Sequence, residues 1–133
     1  MPTRKLTEIS LQVQARPGEL TRVLGALSGA GVNVLAFCGY NTNQEEGRIM
    51  VVPDNEDKAK KALEGIGLAP EIHSILAITG EAGRGAGAKL TKRLSEAGIN
   101  IEYAYASTPG DGPSTAIFKV PDPDAAIRAL KTR

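Results

Sequence analysis

The chain has 133 residues, 41% hydrophobic and 23% charged, which suits one compact domain or two very small ones and excludes a wholly disordered chain. Lysine and arginine together number 16 against 15 acidic residues, so the net charge of +1 lacks the basic excess of a nucleic-acid binder. The apolar runs are too short to span a bilayer, the first residues lack the apolar core of a secretory signal, and the single cysteine, Cys38, cannot form an internal disulfide; together these read as a cytoplasmic protein.

Ile9, Leu11 and Val13 alternate with Ser10, Gln12 and Gln14, a period of two that predicts a strand with one wet face. Arg16-Pro17-Gly18 breaks the pattern. Leu20, Val23, Leu24 and Leu27 then follow helical spacing and predict one apolar stripe, ended by Gly29 and Gly31. Residues 32–40 read as a strand, 41–47 as a polar turn and 48–52 as a further strand. Asp54 is the expected N-cap of a second helix whose inner face carries Ala59, Ala62, Leu63 and Ile66. Residues 71–79 have room for one long strand or two very short ones.

The pattern then repeats. Ser28-Gly29-Ala30-Gly31-Val32-Asn33-Val34 is matched by Ser95-Glu96-Ala97-Gly98-Ile99-Asn100-Ile101 at an offset of 67 residues. Val52-Pro53-Asp54 and Val120-Pro121-Asp122 match at 68, and Ala62-Leu63 and Ala129-Leu130 at 67 again, so one insertion and one deletion separate the copies. Asp122 is the expected N-cap of the last helix, with Pro123 in its first position. The second copy ends without a closing strand of its own, so the long middle strand is expected to serve both halves. The half-module left open exposes backbone groups that another chain can pair.

This order of elements, with Arg16-Pro17-Gly18-Glu19-Leu20 at the first strand-to-helix turn, Gly29-Ala30-Gly31-Val32-Asn33-Val34 after the helix and Glu96-Ala97-Gly98-Ile99-Asn100-Ile101-Glu102-Tyr103 in the second copy, resembles the ACT domain. The resemblance covers nearly the whole chain as two copies, and extends to stand-alone tandem ACT proteins. It implies an α+β fold of two ferredoxin-like βαββαβ repeats, with a mainly antiparallel sheet and the helices on one face. Residues 1–70 form the first repeat and residues 71–133 the second, sharing the strand around 71–80. It also implies a regulatory protein rather than an enzyme, binding a free amino acid at the turns and at the interface of a homodimer. The alternative is a regulatory subunit that docks on an amino-acid biosynthetic enzyme and binds little by itself. No cofactor, metal, nucleic acid or membrane is expected.

The physics of the turn fits a ligand. Gly18 and Glu19 open a helix whose first N–H groups have no partner within it, and the helix dipole adds positive charge there, so a small carboxylate is a natural guest. Arg16, Pro17, Gly18, Glu19 and Leu20 are the candidate residues of this turn, with Asn33 and Val34 beyond the helix. The Asn33 amide has a donor and an acceptor to offer a zwitterion. Against this stands a plain structural account: Gly18 permits the turn, Asn33 and Asn100 tolerate a left-handed backbone, and Arg16 is a solvated charge. In the second copy Gly83, Arg84 and Gly85 take the place of Arg16, Pro17 and Gly18, and Asn100 and Ile101 that of Asn33 and Val34. The proline is missing, so equal binding by both copies does not follow.

The same glycine-rich stretch, Gly83 to Lys89, has the length of a phosphate loop. Ala88 stands where that motif needs its second glycine, and Leu90 where it needs a magnesium-holding hydroxyl, so nucleotide hydrolysis is not the reading. His73 is the sole histidine, which argues against a His/Cys metal site. Cys38 reads as a small buried hydrophobe, Glu45-Glu46 as a solvated pair, and Tyr103 and Tyr105 as an interface face shared with Ile99 and Ile101.

Overall fold

The computed structural model describes residues 2–81, 84–107 and 113–131. Among them the order of elements is β1 (Thr3–Gln14), α1 (Glu19–Gly29), β2 (Val34–Asn41), β3 (Glu46–Pro53), α2 (Glu56–Gly65), β4 (Glu71–Glu81), α3 (Ala86–Glu96), β5 (Tyr103–Ser107), β6 (Pro113–Lys119) and α4 (Pro123–Lys131). This is the α+β, ferredoxin-like order, run twice. The chain divides into two compact units, Thr7–His73 in one and Met1–Leu6 with Ser74–Arg133 in the other.

In the first unit the strands run β2-β3-β1, each antiparallel to the next. Ile9 lies opposite Val51 and Leu11 opposite Ile49, so one face of the pleat carries Ile9, Leu11, Val13, Ile49 and Val51. Val23 and Leu27 of α1 and Ala59 and Leu63 of α2 close over that face and are almost fully buried. Each such Leu, Ile or Val contributes about 1.5–3 kcal/mol by leaving water. Leu24 joins at the margin, but Leu20 does not: it remains 38% exposed, so the apolar stripe of α1 starts one turn later than its spacing predicts.

The opposite face of this half-sheet is not the wet face expected from Ser10, Gln12 and Gln14. Glu8, Ser10, Met50 and Val52 are buried there, while Gln12, Gln14 and Tyr40 reach solvent. Arg48 donates to Ser10 Oγ at 3.2 Å and pairs with Glu71 at 2.6 Å, whereas His73 Nδ1 lies 3.7 Å from Glu8, beyond hydrogen-bond reach. Glu71 and His73 belong to the first three residues of β4, which cluster with this unit while the rest of the strand clusters with the other.

In the second unit the order is β4-β6-β5, again antiparallel. Leu76, Ile78, Phe118 and Val120 form the sheet side of its core, with Leu90 and Leu94 of α3 and Ala126 of α4. Ile99 and Ile101 pack into this core. Tyr103 and Tyr105 do not share their face, because they lie opposite Lys119 and Ile117, which alternate with the core-facing Phe118. Between Ile101 and Tyr103 the backbone is not yet a strand, so a period of two cannot be carried across it.

The closing strand missing from the second copy is supplied by the start of the chain. Met1–Leu6 cluster with this unit, Thr79 N–H donates to the Pro2 carbonyl at 3.1 Å, and Lys5 pairs with Asp124 of α4 at 3.3 Å. The open half-module expected from the sequence is therefore filled from within the same chain.

The two copies cap their second helices differently. Asn55, not Asp54, is the N-cap of α2, its side chain accepting from Lys58 N–H at 3.0 Å. In the second copy Asp122 does cap α4, accepting from Ala125 N–H at 3.1 Å.

Candidate functional site

The turn into α1 begins at Gly18, whose φ of +90° is left-handed backbone that an L side chain adopts only with strain. It serves as the N-cap with no side-chain cap of its own, and its carbonyl accepts from Arg22 N–H at 2.8 Å. Gly85 repeats this before α3, with φ +79° and its carbonyl accepting from Lys89 N–H at 3.0 Å.

The side chains around the first turn form a connected chain of charges. Glu19, in the first position of α1, has a side chain only 7% exposed. Arg16 Nε donates to one of its carboxylate oxygens at 2.7 Å, and Arg22 Nη2 to the other at 3.2 Å. Arg22 is anchored in turn, its Nη1 donating to the Ile66 carbonyl at the end of α2 at 2.8 Å. Arg16 is thus no freely solvated charge, although its side chain is 57% exposed. The Arg16 guanidinium, with help from Arg22, holds the Glu19 carboxyl below the usual glutamate range against the opposing effect of burial.

Two clefts flank this group. One, of about 420 Å³, lies between Arg16, Glu19, Arg22 and the Gly67-Leu68-Ala69 loop. The other, of about 320 Å³, is bounded by Arg16, Glu19, Leu20, Tyr40, Asn41 and Ile49. Both have Val13, Gln14, Arg16 and Glu19 in their walls. Leu20 and Tyr40, both in the wall of the second cleft, are 38% and 50% exposed.

Asn33 and Val34 are not part of these clefts. They follow the far end of α1, which at 11 residues is about 16 Å long. Asn33 is not left-handed, since no non-glycine residue among those described has positive φ; Gly31, at +76°, takes that conformation. Its backbone is instead fastened to Asp54, donating to Oδ1 at 3.0 Å and accepting from Asp54 N–H at 2.9 Å. Its side chain faces solvent.

In the second unit Asn100 and Ile101 line an open cleft of about 670 Å³ with Thr91, Lys92, Ser95 and Gly98, at the end of α3 away from Gly85. Arg84 and Gly85 are exposed, and Gly83 lies outside the described residues. The first turn of α3 carries no acidic residue, so nothing there matches Glu19. Elsewhere, burial and the charge of Glu8 push the Cys38 thiol up. Among the described residues no three His, Cys, Asp or Glu side chains gather as a metal site, and no helix is long and apolar enough to cross a membrane.

Sequence reasoning named Arg16 and Glu19 but missed their pairing and the part of Arg22. The signal was present in the i, i+3 spacing of all three.

The model of the ACT domain pair matches residues 4–130. The chain belongs to the ACT domain pair family. No curated protein matches it. A crystal structure of a Bacteroides thetaiotaomicron protein is similar at 27% identity, covering 97% of this chain and 88% of that one with a TM-score of 0.87. The ligand-free regulatory subunit of aspartate kinase from Thermus thermophilus has 20% identity, 98% and 93% coverage and a TM-score of 0.75. Its counterpart from Thermus flavus has 20% identity, 98% and 94% coverage and a TM-score of 0.68. The two aspartate kinase subunits share the ACT pair's fold with this chain.

Proposed function

We propose that this ACT pair is a regulatory protein, not an enzyme, that binds a free amino acid at the turn into α1. The observation that carries the reading is the ACT-pair match over residues 4–130. The clefts beside Arg16 and Glu19 support it, because they are of the size that small-molecule sites require and combine charged groups with an apolar wall.

The reading includes a homodimer. Arg16 to Leu20 and Asn33 with Val34 lie at opposite ends of α1, too far apart to hold one small ligand within a single chain. Two copies, each offering one end, complete the site. The edge strand β2 suits such pairing, since Leu35 and Phe37 on it are about half exposed. A cytoplasmic protein with no cofactor fits the same reading.

The test is a thermal-shift screen of the twenty amino acids, with light scattering on the same samples. A ligand at ~100 times its Kd stabilises the folded state by roughly 2.7 kcal/mol, well within detection. No shift with any amino acid refutes the ligand role, and a 13.9 kDa particle at micromolar concentration refutes the dimer.

A second reading is a subunit that docks on an amino-acid biosynthetic enzyme and binds little itself. It is favoured by the likeness in fold, over almost the full length of both chains, to a protein described as a regulatory subunit of aspartate kinase. Mixing with an aspartate kinase catalytic chain separates the two: complex formation without any amino-acid response supports docking alone.

A further inference from the structure

Arg16 stands at the end of a chain of fixed contacts: the Ile66 carbonyl holds Arg22, Arg22 holds Glu19, and Glu19 holds Arg16. Glu19 is buried and bridged by two cations, so it has no freedom to turn away. Only the Nε–H of Arg16 is used in this contact. A guanidinium has five N–H donors in a rigid fork, so the two outer nitrogens are left to present a flat, paired set of donors. They belong to a side chain that is more than half exposed, in the wall common to both clefts.

We infer that Arg16 is the carboxylate receptor of this chain's ligand site, and that Glu19 and Arg22 are positioning residues that aim its outer nitrogens into the cleft beside Leu20 and Tyr40. This rests on the amino-acid-binding reading and assigns its chemistry. The ligand class is a small carboxylate with an apolar portion. The carboxylate makes two parallel N–H···O contacts with Arg16, and the apolar portion lies against Leu20 and Tyr40. Fixing the guanidinium beforehand removes the rotamer entropy that a free arginine loses on binding.

Among the described residues the second copy does not repeat this arrangement. The second copy has Gly83 in the place of Arg16 and Ala86 in the place of Glu19; its arginine, Arg84, stands in the place of Pro17 and has no acid in the first turn of α3 to orient it. The expected stoichiometry is one carboxylate ligand per chain.

The experiment is calorimetry on the full chain with the twenty amino acids and, for the tightest of them, its primary amide, which keeps the ammonium and side chain but lacks the carboxylate. On the native chain the amide is expected to bind at least about tenfold more weakly than the acid. In Arg16→Gln that preference disappears. Arg16→Lys keeps the charge but not the fork, and recovers only part of it. Glu19→Leu reduces the preference, whereas Glu19→Gln, which still offers Arg16 an oxygen, retains most of it. A merely structural role for Glu19 changes stability but not the acid-to-amide ratio. Equal binding of acid and amide by the native chain, or an undiminished preference in folded Arg16→Gln, overturns the assignment while leaving amino-acid binding intact. Binding of no amino acid overturns both.

Discussion

The turns into α1 and α3 share a backbone and differ in chemistry. Each opens its helix with a left-handed glycine, Gly18 at +90° and Gly85 at +79°, and each helix runs 11 residues to a second left-handed glycine, Gly31 at +76° and Gly98 at +74°. At the first turn Glu19 is buried between Arg16 and Arg22; at the second, Ala86 stands in its position and the first turn has no acid. The left-handed glycine is therefore common to both repeats, and the buried acid held by two arginines is found at the first turn.

The largest expected effects come from breaking what is shared. A Cβ at Gly18 or Gly85 meets no atom within 4 Å, so the penalty for a side chain there is conformational and not steric. Gly18→Val and Gly85→Val should each lose about 2 kcal/mol in urea unfolding, since a left-handed L-residue costs roughly 1–2 kcal/mol and β-branching adds to it. Similar losses in the two variants support a common backbone role. A loss confined to Gly18→Val shows that the turns are not equivalent even as scaffolds.

Next comes what is not shared. Glu19→Leu removes the acceptor of two arginines and should cost about 1–2 kcal/mol, with the lower figure expected because both arginines can turn toward solvent. The pH dependence has a definite sign. Glu19 is held below its ordinary pKa in the folded state, so its contribution is fully present above the unfolded value of about 4.3 and is lost as pH falls through the folded one. Glu19→Gln should flatten the acid limb of the stability curve below that value, and an unchanged acid limb would remove Glu19 as its source.

How much of this could be read in the sequence depends on whether the determinant is local. Glycines that end a helix, Pro123 at the start of one and the repeat itself are local signals, and the order of elements follows from them. The single-residue slip between the copies was visible as a shift of offset, but its meaning was not. Asn55 is the extra residue of the first copy; it takes over the cap of α2 and leaves Asp54 free to fasten Asn33, whereas Asp122 must cap α4 itself. The burial of Glu8 and Ser10, the exposure of Leu20 and the closure of the second unit by Met1–Leu6 depend on residues far away in the chain, and alternation alone carries no information about them.

That slip gives the third test. Asn55→Ala and Asp122→Ala each remove a helix cap and should cost about 1 kcal/mol. Asp54→Ala removes a link between β3 and the α1–β2 connection, leaves the α2 cap intact and is expected to cost about 1 kcal/mol or less because the site is exposed. If Asp54→Ala lowers the helical circular dichroism signal as much as Asn55→Ala does, the division of labour between Asp54 and Asn55 is wrong.

The smallest effect on stability, and the one that bears most on function, is expected at Asn33 and Asn100. Both have negative φ, so glycine is not a neutral replacement and would add an entropic cost of about 0.5–1 kcal/mol to any loss of contact. Alanine is the cleaner choice. The native contacts of Asn33 with Asp54 are made by its backbone, which Asn33→Ala keeps, and the side chain lies in solvent. Stability should change by less than about 0.5 kcal/mol in either variant. Affinity should not behave alike. If Asn33 of one copy completes the site opened by Arg16 of another, Asn33→Ala removes a polar anchor and weakens the tightest amino acid by about tenfold. Asn100→Ala should leave that affinity unchanged, because Ala86 stands where Glu19 does and the second turn has no acid to orient an arginine toward Asn100. Unchanged affinity in Asn33→Ala alongside a strong loss in Arg16→Gln would confine the site to one end of α1 and remove the need for a second copy to complete it.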